Sequence, residues 1–515
     1  MLVQLLILRI YVNSLSWLVF LVASAIAYPL YGIFILTYTG SVITVFLYDM
    51  KIFKYITDLI IFINTTYYLL IMLLINIPAF LSIILYYRKI KHIIKCNNCI
   101  TTSCSTTNNF NKVKFLVIIP AHNEENVIQD ILECMINQIY PSPWYRVLVV
   151  VDNCTDNTEE KVKEICKKDK YNYVDYVVRW NPNKRGKQYA VDYGIKKFKE
   201  VFPEFDPDYI IIIDADNLVP KKFLIECCKH INRLNNNYSF QTLILSKNIF
   251  VGKHDIHSIM SSFMSSIFLF TLVTNICFLG GTGMVIKYDH ILRIKGYKAK
   301  TLVDDIEIQC KLVKESINIK NIPYTFVLDE KPTSIRDDIR RISRWMQGDI
   351  ELLPILVRYI KNTIIRIDIN IKYKINILLK LIAIMITFCI PPLLLIAVSP
   401  WIILLPIIAI AGITHTFTKC QIFLNIIMND YILLVAYIMY LASVLFLQLH
   451  FLMYVMFNPK INTKSKIKLL PLTILCPEYL SLMSIMSIAR AINNIIIGSK
   501  GWESTRHYIS IKSPK

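Results

Sequence analysis

Asp214 and Asp216 stand two residues apart, directly after the strand-like run Tyr209–Ile213. Carboxylates at that spacing, at the end of a buried strand, can hold a divalent cation through hard oxygen ligands and orient it around a diphosphate. An acidic turn after a strand gives the same pattern without a metal. Two other strand-like runs end in polar clusters, Pro120-Ala-His-Asn-Glu-Glu125 and Asp152-Asn-Cys-Thr-Asp156. His122 can stack on a base, and Glu124 and Asp152 can accept bonds from ribose hydroxyls or base N–H groups. Helix capping by Asn123 and turn formation by Asp152 and Asn153 account for the same residues structurally. Lys184-Arg185-Gly186-Lys187 precedes a helical stretch beginning near Gln188. A cation beside a helix amino terminus suits phosphate, although a solvated basic loop has the same composition.

Three further segments carry chemistry. Leu302-Val-Asp-Asp-Ile-Glu307 puts three carboxylates in four positions. One of them can serve as a general base toward an attacking hydroxyl, while acidic residues in a first turn also favour the helix dipole. Phe278-Leu-Gly-Gly-Thr-Gly283 offers backbone that a ligand can approach closely, but lacks the spacing of a dinucleotide fingerprint. Arg341-Ile-Ser-Arg344-Trp345 joins cations that can pair with a diphosphate to a ring that can stack on a sugar. An interfacial Arg/Trp anchor reads the same way.

The elements that must position these residues show in the periodicity. Phe115–Ile119, Val147–Val151 and Ile210–Ile213 are expected strands. Val127, Ile128, Ile131, Leu132, Met135 and Ile139 recur at helical spacing between the first two. Strands alternating with helices predict a mainly parallel sheet with ligands at the strand carboxyl ends. This texture occupies residues 113–348.

The flanks differ. The 515-residue chain is 55% hydrophobic and only 18% charged, and its mean hydropathy is +0.47. A wholly soluble protein of this length needs more charged surface, so a membrane protein with a folded polar centre is expected. Trp17–Tyr48 carries no charge and Tyr55–Tyr87 nearly repeats the pattern; each exceeds the roughly 20 residues that span a bilayer. The amino terminus lacks a small-residue cleavage site and reads as a retained anchor. The expected organisation is amino-terminal membrane helices over 1–87, a cytoplasmic linker over 88–112, the catalytic unit over 113–348 and an amphipathic interface helix over 349–374. Carboxy-terminal membrane or interfacial helices follow over 375–493, then a cytoplasmic tail over 494–515. Ile375–Phe417 suggests two spans, Tyr431–Phe457 another, and Leu469–Asn493 a span or an interfacial helix. The net charge of +20 is explained first by Lys and Arg in cytoplasmic loops. It is spread through membrane-flanking segments, which speaks against nucleic acid. Cys96, Cys99 and Cys104 fall in the linker with no evident fourth ligand for zinc.

In this order the motifs resemble family 2 glycosyltransferases of the membrane-embedded, processive kind, which include cellulose, hyaluronan, chitin-oligosaccharide and poly-N-acetylglucosamine synthases. The resemblance covers about residues 112–350 by motif and the flanks by layout. It implies a GT-A fold, an α/β nucleotide-sugar transferase domain inserted between transmembrane helices. It also implies a UDP-sugar donor, Mg or Mn as cofactor, and a glycan or lipid-linked acceptor. On matching positions, Ala121, His122, Glu124 and Asp152 resemble the nucleoside pocket, and Lys187 the donor-binding lysine. Asp214 and Asp216 resemble the D-x-D metal pair, with Asp216 the expected contact. Gly281 and Thr282, in Gly280-Gly-Thr282, look like the acceptor-side motif. Asp305 takes the place of the catalytic base in T-E-D, and Arg341, Arg344 and Trp345 that of Q-x-x-R-W. Trp502–Arg506 looks like a tail segment of some bacterial members. The departures are Val303-Asp304 for Thr-Glu, Arg341 for Gln, and His122 for the usual aromatic of the first motif.

The reading that follows is inverting sugar transfer at the membrane, building a polysaccharide that the spans export, with the catalytic domain facing the cytoplasm at the plasma membrane. Transfer of a single sugar to a lipid is the enzymatic alternative. A transporter or channel with an inactive domain is the alternative of another class, and the retained Asp214, Asp216 and Asp305 speak against it.

Overall fold

The computed structural model describes residues 111–389 and 445–497, apart from short breaks at 142, 170–172, 235–236, 253–254, 267–276, 367–369, 446–447 and 459. The expected helices over 1–87, the linker with its three cysteines, residues 390–444 and the tail motif at 502–506 lie outside the described residues.

Seven strands form one mixed sheet: β1 (Phe115–Ala121), β2 (Tyr145–Asp152), β3 (Val174–Arg179), β4 (Tyr209–Ile212), β5 (Ser239–Ser246), β6 (Met284–Lys287) and β7 (Ile319–Asp329). Their order is β3-β2-β1-β4-β6-β5-β7. The pairs β1–β2, β1–β4, β2–β3 and β5–β7 are parallel, and β6 runs antiparallel to both β4 and β5. The expectation of a mainly parallel sheet therefore holds, with one reversed strand inserted near its middle. Each of the three expected strands appears, extended or shifted by one or two residues at its ends.

The strands have no polar face because both faces are covered. With a side-chain period of two, Phe115, Val117 and Ile119 join Val147, Val149, Val151, Ile211 and Ile213 on one side. Helices α1 (Ile128–Ile136), α2 (Thr158–Lys168) and α4 (Phe223–Arg233) contribute to that layer. Leu116 and Ile118 join Leu148, Val150, Ile210 and Ile212 on the other. There α3 (Lys187–Val201), α7 (Tyr288–Arg293) and α8 (Asp304–Lys314) close the layer through Val191, Phe198, Ile291, Ile308 and Leu312. Two short helices, α5 (Lys247–Phe250) and α6 (Ile256–Ser266), follow β5.

After β7 the chain enters α9 (Ile335–Ile365), capped by Ser334, whose hydroxyl accepts from the Asp337 N–H. The expected boundary at 348 falls inside this helix. The amphipathic segment expected over 349–374 is thus not one helix but the second half of α9 and the start of α10 (Ile371–Ile384), with Arg366 ending the first. A single π turn, Met385–Cys389, continues α10. The final helix, α11 (Thr463–Ile497), lies along α9, where Met483, Ile488 and Ala491 pack on Ile342 and Met346. Leu469 and Cys476 reach the main core. Leu469–Asn493 therefore lies in a helix that packs one side on α9 and the main core. Among the described residues no helix is long and apolar enough to cross a membrane.

Candidate active site

Strand register decides which motifs meet. Ala121 lies abreast of Val151, so the residues leaving β1 and β2 emerge side by side. His122 Nδ1 lies 2.7 Å from the Asp152 carbonyl oxygen. Asn123 and Asn153 turn the chain at φ 58° and 49°, a left-handed conformation that Asn tolerates better than most residues. Asn123 then bridges to Thr155, accepting its N–H at 2.8 Å and donating to its hydroxyl at 3.1 Å. The Glu124 N–H donates to the Thr158 hydroxyl at 2.8 Å. Asp152 is buried and ion-paired with Arg179, whose other nitrogen donates to the Lys184 carbonyl at 2.8 Å. A link between the β2 edge and the Lys184–Lys187 loop was not legible in the sequence, because Arg179 belongs to a strand with no motif.

β1 and β4 are paired at the centre of the sheet, where the strand order reverses: the chain winds outward from β1 to β2 and β3, then returns to β4 on the other side. Such a reversal leaves a crevice at the strand carboxyl ends, where ligands bind in α/β sheets. Ile118 pairs with Ile212 on one side of β4 and Met284 pairs with Ile212 on the other. Continuing that antiparallel register two residues brings Asp214 to Thr282. The Asp214 N–H indeed donates to the Thr282 hydroxyl at 3.2 Å. Thr282 donates in turn to Asn217 Oδ1 at 2.5 Å, and Asn217 Nδ2 donates to Asp216 Oδ1 at 3.0 Å and to Asp329 Oδ1 at 3.2 Å. Beneath them the wholly buried Lys247 donates to the Asp216 carbonyl at 2.9 Å and pairs with Glu330 at 3.3 Å. Asp216 is buried, whereas Asp214 is partly open to the crevice.

Lys187, the first residue of α3, crosses this crevice. Its ammonium pairs with Asp214 and donates to the Gly281 carbonyl at 2.7 Å. Burial opposes its charge, but Asp214, Asp304 and Asp305 hold its pKa above the ordinary value. Gly281 has φ 79°, and a β-carbon there would stand 3.3 Å from Asp305 Oδ2 and 3.7 Å from Lys187 Nζ. Lys187, Asp214, Gly281 and Asp305 thus converge from four separate segments of the chain.

The three carboxylates at the start of α8 have separate fates. Glu307 is buried and accepts the Lys300 and Thr301 N–H groups at 2.6 and 2.9 Å, which shapes the preceding loop. Asp304 is buried and accepts the Tyr297 hydroxyl at 2.8 Å. Asp305 is half-buried, its Oδ1 accepting the Ile306 N–H at 2.8 Å, with Oδ2 toward Gly281. Burial, reinforced by the charge of Asp304, pushes the Asp305 carboxyl up to about 7.

Helix α9 brings the last motif. Arg341 is buried, donates to Asp338 at 2.7 Å and to the Ser261 hydroxyl at 2.5 Å, and stacks 4.8 Å from the centre of the Trp345 ring. It acts as a brace for Trp345, which is 39% exposed. Arg344 is half-buried; burial and Arg341 oppose its charge, while Asp304, Asp214 and Asp305 favour it. The seat of this helix depends on Gly348, where a β-carbon would stand 2.7 Å from the Val303 nitrogen and 3.1 Å from the Leu302 carbonyl carbon. Only a bare helix surface lets α9 approach the turn before Asp305 this closely.

Asp214, Gly281, Thr282, Asp305 and Lys187 are therefore gathered in one place, with Arg344 within electrostatic reach. Ala121, His122, Glu124 and Asp152 form the neighbouring rim. Arg179, Asn217, Lys247, Tyr297 and Gly348 carry no motif of their own and emerge only in three dimensions.

The fold and site define an α/β domain with a charged crevice at the switch point of a GT-A-like mixed sheet. Residues 116–292 match the profile of glycosyl transferase family 2, and residues 209–487, more than half of the chain, match that of glycosyl transferase family group 2. The chain belongs to this family of glycosyltransferases. Similar curated proteins include the probable glycosyltransferase YdaM of Bacillus subtilis (strain 168), 27% identical over 48% of this chain and 58% of the relative. The β-monoglucosyldiacylglycerol synthase of Nostoc sp. is 23% identical over 45% and 48%. The poly-β-1,6-N-acetyl-D-glucosamine synthase of Staphylococcus epidermidis is 25% identical over 46% and 54%. The matched part of this chain spans about half the length of these relatives.

Proposed function

We propose that this protein is an inverting glycosyltransferase that moves a sugar from a UDP-sugar to a hydroxyl of a growing glycan at a membrane. The observation that carries this reading is the convergence of Lys187, Asp214, Gly281 and Asp305 at the carboxyl end of β4. In this reading the rim of Ala121, His122, Glu124 and Asp152 receives the nucleoside, and Lys187 meets the diphosphate. Asp305 accepts the proton of the acceptor hydroxyl as that oxygen attacks the anomeric carbon from the side opposite UDP. Of the two adjacent aspartates, Asp305 suits the role because Asp304 is occupied by Tyr297. Arg344 adds positive charge where the departing diphosphate gathers negative charge. Trp345, held flat by Arg341, offers the acceptor sugar a ring to lie on.

Asp214 and Asp216 fit a Mg or Mn ion that is shared with the donor. Among the described residues no group of three or more His, Cys, Asp and Glu could hold a metal ion. Magnesium, however, is commonly held by one or two carboxylates together with substrate phosphates. When bound, such an ion supplies positive charge to the diphosphate.

Membrane attachment is supported by the uncharged Trp17–Tyr48 segment and by the surface of α9 and α10. Ile365 and Ile371 there are 62% and 67% exposed, with Lys361, Lys372 and Lys374 interleaved, a composition suited to a lipid interface. We place the catalytic unit on the cytoplasmic side of the plasma membrane, inserted between transmembrane helices that carry the product outward. The exposed Trp345 favours a glycan acceptor. A lipid acceptor is the second reading, supported by the name of the Nostoc relative.

The test is UDP release by the full-length protein in detergent, across UDP-sugars with Mn or Mg, with sizing of the product. Release with one donor is expected, abolished by Asp216→Ala and reduced by roughly 10²–10⁴ in Asp305→Asn, the range for a lost general base. Full turnover by Asp305→Asn would remove the base assignment. A single lipid-linked product in place of a polymer would select the second reading.

A further inference from the structure

Asp349 belongs to none of the motifs above. It follows Trp345 by four residues on α9, so it stands one turn further along the same face. Helical side chains lean toward the amino terminus, which carries its carboxyl back toward the Trp345 turn. It is 7% exposed, and among the described residues its Oδ1 has no hydrogen-bond partner. The adjacent Gly348 rides on the backbone of Leu302 and Val303, which sets this turn of α9 against the loop that presents Asp305. One turn further, Leu352 enters an apolar cluster with Phe278, Val303 and Ile306, so Asp349 marks the polar end of an otherwise apolar contact.

A buried polar atom left without a partner destabilises the fold, and an unpartnered ionised carboxylate does so far more. Burial, reinforced by the charge of Asp305, holds the Asp349 carboxyl well above its ordinary range. Its Oδ1 is thus a buried acceptor that no donor among the described residues meets. A fold tolerates such a cost where a ligand removes it.

We propose that Asp349 recognises the acceptor: its unpartnered carboxyl oxygen accepts a hydrogen bond from a hydroxyl of the sugar that lies against Trp345, beside the hydroxyl deprotonated by Asp305. The inference rests on the transferase reading and deepens it toward a glycan. A sugar carries hydroxyls on adjacent carbons and can offer one to each aspartate. Diacylglycerol has a single hydroxyl and cannot satisfy both.

The test uses the full-length protein in membrane vesicles with UDP-N-acetylglucosamine or UDP-glucose and Mn. The probe acceptors are an N-acetylglucosamine tetramer and diacylglycerol. Asp349→Leu is expected to raise the tetramer KM by about ten-fold, equivalent to about 1.4 kcal/mol, with the donor KM unmoved. Asp349→Asn, which keeps an acceptor oxygen, is expected to recover most of that loss. The melting temperature of Asp349→Leu should not fall, because an apolar side chain replaces a buried polar atom that lacks a partner. An unchanged tetramer KM in Asp349→Leu overturns the proposal, as does an equal rise in donor KM or transfer to diacylglycerol alone. A wild-type protein that releases no UDP from either donor overturns the transferase reading itself, and this one with it.

Discussion

At the scale of single residues, the site separates groups that look equivalent in the sequence. Asp304, Asp305 and Glu307 fall within four positions, yet Tyr297 takes the first and backbone N–H groups take the third, so Asp305 alone faces Gly281. Its environment gives two predictions. As a base it must be ionised, so kcat/KM should fall as the pH drops through about 7, with a slope of one in a log plot. The midpoint in kcat should lie lower with Mn and donor bound, because nearby positive charge favours the carboxylate. A flat profile between pH 5.5 and 8 would contradict this assignment. The same shift bears on stability. The folded pKa lies above the unfolded value of about 3.9, so the folded state binds more protons between the two values. Stability is therefore lost as the pH rises through that window, and the loss is complete above about 7. Asp305→Asn should then melt at a higher temperature than the wild type at pH 8, with the gap closing toward pH 4.

At the scale of elements, two contacts hold the crevice in shape. The first is the approach of α9 to the loop before Asp305 at Gly348. Replacing a helical glycine with alanine ordinarily gains about 1 kcal/mol in helix propensity. Here a β-carbon would press on the Val303 nitrogen, and overpacking of a close contact costs about 1–3 kcal/mol. Gly348→Val should therefore lower kcat by more than ten-fold while the protein stays folded, because Trp345 and Asp305 move apart together; circular dichroism and UDP release measure the two effects separately. The second contact is Lys247, whose ammonium ties the D-x-D turn to Glu330 at the end of β7. Removing one partner of a buried ion pair typically costs about 3–5 kcal/mol. Lys247→Met should show a loss of that order in urea unfolding, and the double variant with Glu330→Gln should recover part of it. Equal stability for Lys247→Met and wild type would remove this tie from the account.

At the scale of the whole molecule, α11 packs along α9, behind the Arg341-to-Trp345 turn, so the segment after 463 completes the catalytic unit. In the proposed membrane reading, attachment is assigned to the apolar sequence before residue 88 and between 390 and 444. The full-length protein should remain in the membrane pellet after carbonate washing and enter solution only with detergent; release by carbonate would leave surface binding as its only attachment. The sequence by itself determined the alternation of strands and helices, because apolar runs of strand length and periods near 3.6 are local signals. It marked the D-x-D pair, the Lys184–Lys187 loop and the carboxylates at 304, 305 and 307 as candidates, since each sits at the edge of a recognisable element, and the resemblance to family 2 glycosyltransferases singled out Lys187 and Asp305. It did not show that one side of α11 packs on α9, because apolar composition is shared by a helix facing lipid and one facing a protein core. Nor did it join Arg179 to Asp152, Lys247 to Asp216, or Gly348 to the Asp305 loop. Those contacts join residues that are distant in the chain, between 27 and 46 positions apart. The register of β1, β4 and β6 and the packing of α9 decide which of them meet.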